Sequence, residues 1–371
     1  MQRLPIIFGT FFKIGFFTFG GGYAMIPLIE QEVIDRRGWV ERREFLDLLT
    51  LAQSVPGPIA VNTAVFVGYR IRGLRGALAA LTGTILPSFT IILLIALFFA
   101  DIRQNPVVDA AFKGMRPAVV ALIIGPVISL ARGMHWTDDK RGGRAGHLGA
   151  GLVAHLCAGG RGRGGHGVGT GRGSQERRRP MIVLWQLFVS YLKIGFFGFG
   201  GGYAMLSLIQ NEVVVQHGWM TNAQFADIVA VSQITPGPIA INSATYVGYT
   251  VGLQTGHTWC GILGSVIATL AVCLPSLTLM MLVARFFLKL KGNRWVEGAM
   301  RGMRPVVIGM IAAAALLLIF PRSDNPDDLN FIDGWSWALF GAVFVGSWRK
   351  VNPILLICLS AAAGIVIYYL F

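Results

Sequence analysis

Apolar residues in this chain come in long blocks rather than at the spacing of an amphipathic helix or strand. Ala77–Ala100 runs for 24 residues without a charge, and Ile262–Ala284 for 23. Each exceeds the roughly 20 apolar residues that carry a helix across the hydrocarbon layer. Shorter apolar runs lie at Pro117–Ala131, Pro305–Phe320, Trp335–Phe344 and Pro353–Phe371. None shows the in–out alternation that a membrane barrel needs. The pattern predicts an all-α polytopic membrane protein. The N-terminal segment lacks the strongly basic start of a signal peptide and recurs inside the chain, so it reads as structural.

The chain states one unit twice. Residues 11–69 and 191–249 are identical at 31 of 59 positions at an offset of 180. A second block, Lys113–Pro117 against Arg301–Pro305, repeats at an offset of 188. Such duplication predicts a transporter with a site where the copies meet. The expected organisation is a first repeat over 1–131, a joining tract over 132–180 and a second repeat over 181–371.

Loop charge then assigns orientation. Residues 34–76 carry seven arginines, whereas 214–258 carry no Lys or Arg. Further on the bias reverses: residues 285–304 carry six basic residues and 97–116 only three. Short basic loops stay cytoplasmic, so the copies are expected in opposite orientations, as inverted repeats. Arginines flank both ends of Phe45–Tyr69, which has Pro56-Gly57-Pro58 at its centre. Proline removes an N–H and disturbs the preceding turn. The segment is therefore expected as a re-entrant hairpin, with Phe225–Tyr249 and Pro236-Gly237-Pro238 entering from the other face. A single Pro-kinked span is the alternative.

Composition supports the membrane reading: 54% of residues are hydrophobic and 13% charged, against about a quarter charged in soluble domains. The formal charge of +14 does not point to nucleic acid, because +7 of it sits in residues 132–180. Within that tract, residues 142–173 hold 14 glycines among Arg and His, a composition that neither packs a core nor spans lipid. It stands where the first copy should carry two apolar segments like those after Phe320. Two tandem genes joined through a shifted reading frame would produce this, and a flexible linker is the competing reading. His147, His155 and His166 are spaced too irregularly for a metal site, and Cys157, Cys260, Cys273 and Cys358 lack ligand or CxxC spacing. No metal and no cofactor is expected.

Four repeated features are candidates for transport chemistry. Gly20, Gly21 and Gly22, and their copies Gly200, Gly201 and Gly202, suggest an unwound stretch inside a helix, whose N–H groups suit an anion; close helix packing is the alternative. The Pro-Gly-Pro hairpins add helix N-termini and the amides of Asn62 and Asn242, as donors to an oxyanion or as groups satisfying the broken backbone. Lys13 and Lys193 lie in apolar segments and would compensate an anion, pair with Glu32 or Glu212, or snorkel to an interface. Arg116 and Arg304 flank spans as pathway guards or as interface anchors. Glu32, Glu212, Asp47 and Asp227 recur in both copies and are candidates for proton coupling.

FGGGYAMIPLIEQEV with PGPIAVN, and FGGGYAMLSLIQNEV with PGPIAIN, resemble the chromate ion transporter family, over about residues 5–131 and 182–371. The resemblance implies a bacterial inner-membrane protein that exports chromate and confers resistance, with sulfate as the related oxyanion. It also includes short members encoded in tandem pairs. A passive anion channel and an inactive fusion stay open. An enzyme is disfavoured, because His135, His217 and His257 fall in expected loops and no Ser/His/Asp cluster lies within the spans. The expected partners are a chromate- or sulfate-like oxyanion and the lipid bilayer, without nucleic acid; a homo-oligomer is compatible with the chain.

Overall fold

The computed structural model describes residues 3–18, 22–103, 105–133, 180–199, 201–290, 330–349 and 351–370, with a few positions between 309 and 320. Among them every regular element is a helix. Four are long and apolar enough to cross a membrane: Ile59–Phe98, Pro180–Phe197, Thr258–Phe286 and Pro353–Leu370. The chain is a multi-pass helical membrane protein. The tract at 134–179, with its histidines and Cys157, lies outside the described residues, as do Gly20, Gly21, Gly200, Arg304 and the side chain of Asp47.

The first half comprises α1 (Leu4–Phe17), α2 (Gly22–Glu30), α3 (Arg42–Ser54), α4 (Ile59–Arg103) and α5 (Pro106–Gly133). The second comprises α6 (Pro180–Phe197), α7 (Gly202–Gln210), α8 (Asn222–Ile234), α9 (Ile239–Leu253) and α10 (Thr258–Leu290). Two further helices follow, α11 (Gly334–Trp348) and α12 (Pro353–Ile365). One wide π turn extends α2 over Gln31–Arg36 and α7 over Asn211–Gln216.

The glycine segment suggests an unwound stretch in one continuous span or close helix packing; in the second half the chain reverses there. Gly198 packs on Met205, Lys193 reaches Glu212, and Ser190 reaches both Glu212 and His217. Contacts that move outward on both sides of a turn require antiparallel helices, so α6 and α7 form a hairpin. Gly201 sits at the reversal with φ of 89°, a backbone that L side chains rarely adopt. Lys13 meets Glu32 in the same way across α1 and the end of α2.

A second hairpin follows in each half, α3 with the start of α4 and α8 with α9. The helix Ile59–Phe98 is 40 residues long, about 60 Å at 1.5 Å per residue and twice the hydrocarbon thickness. It divides at Arg72 and Gly73, whose torsions are not helical. Beyond that point Gly76 packs face to face on Gly68, as Gly264 does on Gly248 between α9 and α10. A Cβ at any of these positions would overlap a carbonyl of the facing helix. Small residues let helices approach where lipid supplies no hydrophobic drive between them. The Thr245 and Thr269 hydroxyls, 2.8 Å apart, add a polar contact across the same seam.

The halves interlock. From the first half, α5 packs against α11 and α12, where Gly114 meets Gly364 and the Ser360 carbonyl. It also packs against α8, through Arg116. The Arg116 guanidinium grips Asp227 with two bonds, Nε to Oδ1 at 2.8 Å and Nη2 to Oδ2 at 3.2 Å, with side chains 6% and 1% exposed. Removing one partner strands a buried charge, whereas replacing both does not. Arg116→Leu and Asp227→Leu are each expected to destabilise the protein by about 3 kcal/mol, and the double variant to recover most of that loss. Thermal unfolding of the detergent-purified protein measures both.

Candidate functional site

Each Pro-Gly-Pro tip breaks a helix where backbone carbonyls have no partner from the next turn. α3 ends at Ser54, Val55 is extended, Gly57 has φ of 110°, and α4 begins at Ile59. In the second half Thr235 is extended, Gly237 has φ of 101°, and α9 begins at Ile239. An asparagine one turn into the returning helix closes the gap. Asn62 Nδ2 donates to the carbonyls of Ala52 (3.0 Å), Val55 (3.1 Å) and Pro56 (3.4 Å). Asn242 Nδ2 donates to the Ser232 carbonyl (3.2 Å), Thr235 Oγ1 (3.0 Å) and the Pro236 carbonyl (3.1 Å). In this arrangement the amide hydrogens serve the hairpins, the backbone-satisfying one of the two roles their spacing allows. What remains is Oδ1 of each, buried and without a hydrogen-bond partner. An acceptor there repels an anion and leaves donation to other groups.

The tips dock crosswise. The Gly57 N–H donates to the Gly198 carbonyl of the second half, and the Gly237 N–H to the Thr18 carbonyl of the first, both at 2.8 Å. Each glycine also abuts a serine of the opposite half. A Cβ on Gly57 would overlap the Ser276 hydroxyl, and one on Gly237 would overlap the Ser88 side chain. Ser88 Oγ donates to the Ile85 carbonyl at 3.0 Å, whereas Ser276 Oγ is buried without a partner. Sequence reasoning missed both serines. Their signal was present: Leu86-Pro87-Ser88 and Leu274-Pro275-Ser276 repeat at the same offset of 188 as the Arg116 block.

Several helix starts therefore gather at one place. The N-termini of α4 and α9 lie at the two tips, and Gly202, which opens α7, stands beside Ile239. Helix N-termini present N–H groups and positive potential, the environment an anion requires. Pro56, Pro58, Pro236 and Pro238 shape these starts, and Gly22 opens α2.

The remaining candidates sit elsewhere. Lys13 and Lys193 are each 54% exposed and face the folded-back acids rather than a buried anion. Lys13 lies 2.9 Å from Glu32, and Lys193 lies 3.7 Å from Glu212. Arg116 is held by Asp227, which makes it a cross-half tie rather than an interface anchor. The loop histidine His217, expected outside the spans, does meet a serine and an acid. Ser190, His217 and Glu212 meet because the α6–α7 reversal brings a loop histidine back over α6. They do not form a nucleophilic triad, since serine and carboxylate both approach the same Nε2 and neither orients the other ring nitrogen. Among the described residues no group of three His, Cys, Asp or Glu side chains could hold a metal.

A close-packed glycine at a positive φ is sensitive to one added carbon. Gly57→Ala is expected to destabilise the protein by about 2 kcal/mol through overlap with Ser276. Adding Ser276→Gly should restore part of this, with the remainder set by backbone strain. Asn62→Ala should also lower thermal stability, by about 2 kcal/mol, because hairpin carbonyls lose their donor. An amide used only for the substrate would leave the melting temperature unchanged.

The chromate transporter family model matches residues 6–159 and 185–365. A chromate transport protein of Pseudomonas aeruginosa is 27% identical, covering 98% of this chain and 92% of the relative. A probable chromate transport protein of Synechococcus elongatus is 26% identical over 96% of this chain and 94% of its own length. A shorter uncharacterized transporter of Bacillus subtilis, YwrA, is 34% identical and spans 32% of this chain. No solved structure matches. With the family model covering both halves, this chain belongs to the chromate transporter family.

Proposed function

We propose that the protein moves chromate out of the cell across the bacterial inner membrane, conferring chromate resistance, by alternating access around the crossed hairpin tips. The observation that carries this reading is the reciprocal pair of bonds Gly57 N–H to Gly198 and Gly237 N–H to Thr18. They join each half's Pro-Gly-Pro tip to the other half's glycine turn, so any rocking of one half against the other remakes the site itself. Helix N-termini of both halves would replace the hydration of a tetrahedral dianion, with the Ser276 hydroxyl as the free donor beside Gly57. Rigid-body motion of repeats about a central site is the recurrent way such folds alternate.

The inverted arrangement and the re-entrant nature of the hairpins belong to this reading. Their support is a set of exchanged pairs. The first half joins Glu30 to Arg42 at 3.3 Å, and the second joins Gln210 to Asn222 at 2.9 Å at the same repeat positions. Glu44 and Arg70 pair in the first half, where the second has Gln224 and Thr250. Charge on one copy and amide on the other is what opposite sides of a membrane select. A permanently open anion channel fits less well, because the tips are packed against serines with no room for a Cβ. Residues 132–180 join the two repeats, as a linker or as a shifted frame over the end of a first gene.

Two measurements test the proposal. Everted membrane vesicles with an imposed proton gradient should take up chromate saturably. Ser276→Ala should cut initial uptake about tenfold, the scale of one lost hydrogen bond to a charged group; Ser88→Ala should cut it less. Competition by excess sulfate would make this a general dianion site, and linear, unsaturable flux would favour the channel. In a cysteine-free background, Leu74→Cys and His257→Cys should label from opposite faces of the membrane. Labelling of both from one face would end the inverted-repeat reading.

A further inference from the structure

The two halves hold a carboxylate at the same hairpin position but surround it differently. Glu32 has Lys13 Nζ at 2.9 Å, Arg36 Nη1 at 2.6 Å and Arg37 Nε at 3.8 Å, and the Arg37 guanidinium stands 5.0 Å over the Trp39 ring. Burial raises the Glu32 carboxyl, and Lys13 and Arg36 outweigh it, so Glu32 lies below the ordinary carboxylate range. In the second half Arg36 becomes Gln216 and Arg37 becomes His217, while the tryptophan persists as Trp219. The His217 ring stacks on Trp219 with centroids 4.2 Å apart and planes within 7°. Its Nε2 lies 3.7 Å from Glu212 Oε2 and 3.1 Å from Ser190 Oγ, which donates to the same Oε2 at 2.9 Å.

The scaffold is shared, but a permanent cation has been exchanged for a titratable one. A guanidinium stays charged at every physiological pH, whereas an imidazole ordinarily titrates near 6.5. Since Ser190 donates to Glu212, its oxygen is left to accept from the His217 ring. Charged groups set against His217 include Glu212 on its own hairpin arm and Lys193, through Glu212, on α6. Ser190 and Trp219 are its uncharged neighbours, and Gln254 steadies the Trp219 carbonyl at 3.0 Å.

We propose that Glu212, Ser190 and His217 form a proton-binding site present in the second half only, and that its protonation sets the rate of transport. The proton adds to the imidazole from the aqueous phase, and the ring passes from neutral to singly positive with no other bond made or broken. Protonation reproduces the charge that Arg37 supplies permanently in the first half. It thereby tightens the open end of the α6–α7 hairpin, whose tip at Gly198 accepts the Gly57 N–H. The coupling to transport rests on the oxyanion-transport reading; the proton site does not.

The test has two arms on the full-length protein. In the first, imidazole NMR resonances of histidine-labelled protein in detergent are followed from pH 5 to 8, with His217→Gln identifying the 217 signal. The expected result is a titration of His217 within this range whose midpoint falls in Glu212→Gln. No titration there, or a midpoint unmoved by Glu212→Gln, overturns the proton site whether or not chromate is transported. In the second arm, chromate uptake is measured against pH in vesicles. His217→Arg, which installs the first half's residue, should abolish the pH dependence and keep the low-pH rate; His217→Gln should hold the high-pH rate. A wild-type pH profile in His217→Arg overturns the coupling. Absence of chromate uptake in inserted wild-type protein at every pH overturns the transport reading and the coupling with it, and leaves the titration to decide the site.

Discussion

Everything in this fold depends on satisfying backbone that has been broken in the buried interior. A helix that stops inside lipid leaves carbonyls and N–H groups with no water to receive them. Here the chain stops at both Pro-Gly-Pro tips, and each break is answered by a specific partner. Asn62 and Asn242 take the carbonyls of their own hairpins. Gly57 and Gly237 send their N–H groups to the opposite half. The second device makes the fold one object: neither half's tip is complete without the other, so the repeats assemble as a unit and meet at the candidate site.

Close packing and polarity cooperate in the same region. Gly68 on Gly76, Gly248 on Gly264 and Gly114 on Gly364 bring backbones together, leaving no side-chain volume between the helices. The Arg116–Asp227 pair sits beyond them as the buried charged link from α5 to the second hairpin. Such a pair adds little net stability over an apolar replacement, but it enforces a register, because any slip strands both charges. That is a suitable tie for halves that have to return to the same alignment.

The two copies are alike in shape and unlike in electrostatics. Their hairpins, kinks and glycine seams correspond. Yet carboxylate–guanidinium pairs of the first copy appear in the second as amide pairs or as a carboxylate with histidine. A duplicated scaffold leaves such positions free to diverge, because the backbone is already specified by glycine, proline and asparagine.

Sequence alone determined the class and much of the plan. Apolar runs of 23 and 24 residues fix membrane-crossing helices, since no other structure satisfies that much backbone in lipid. The offset of 180 revealed the duplication, and Pro-Gly-Pro with an asparagine four residues on marked the helix breaks. Tertiary structure decided what local pattern could not encode. Whether three glycines unwind a helix or reverse it depends on what packs beside them, and Gly198 against Met205 decided for reversal. Which group satisfies Gly57 depended on a contact 141 residues away in the chain, the Gly198 carbonyl. Asn62 had two readings in sequence, and only the positions of the Ala52, Val55 and Pro56 carbonyls assigned its hydrogens. Propensity and periodicity act over a few turns, whereas hydrogen-bond partners at a broken helix are set by whichever chain the fold brings near.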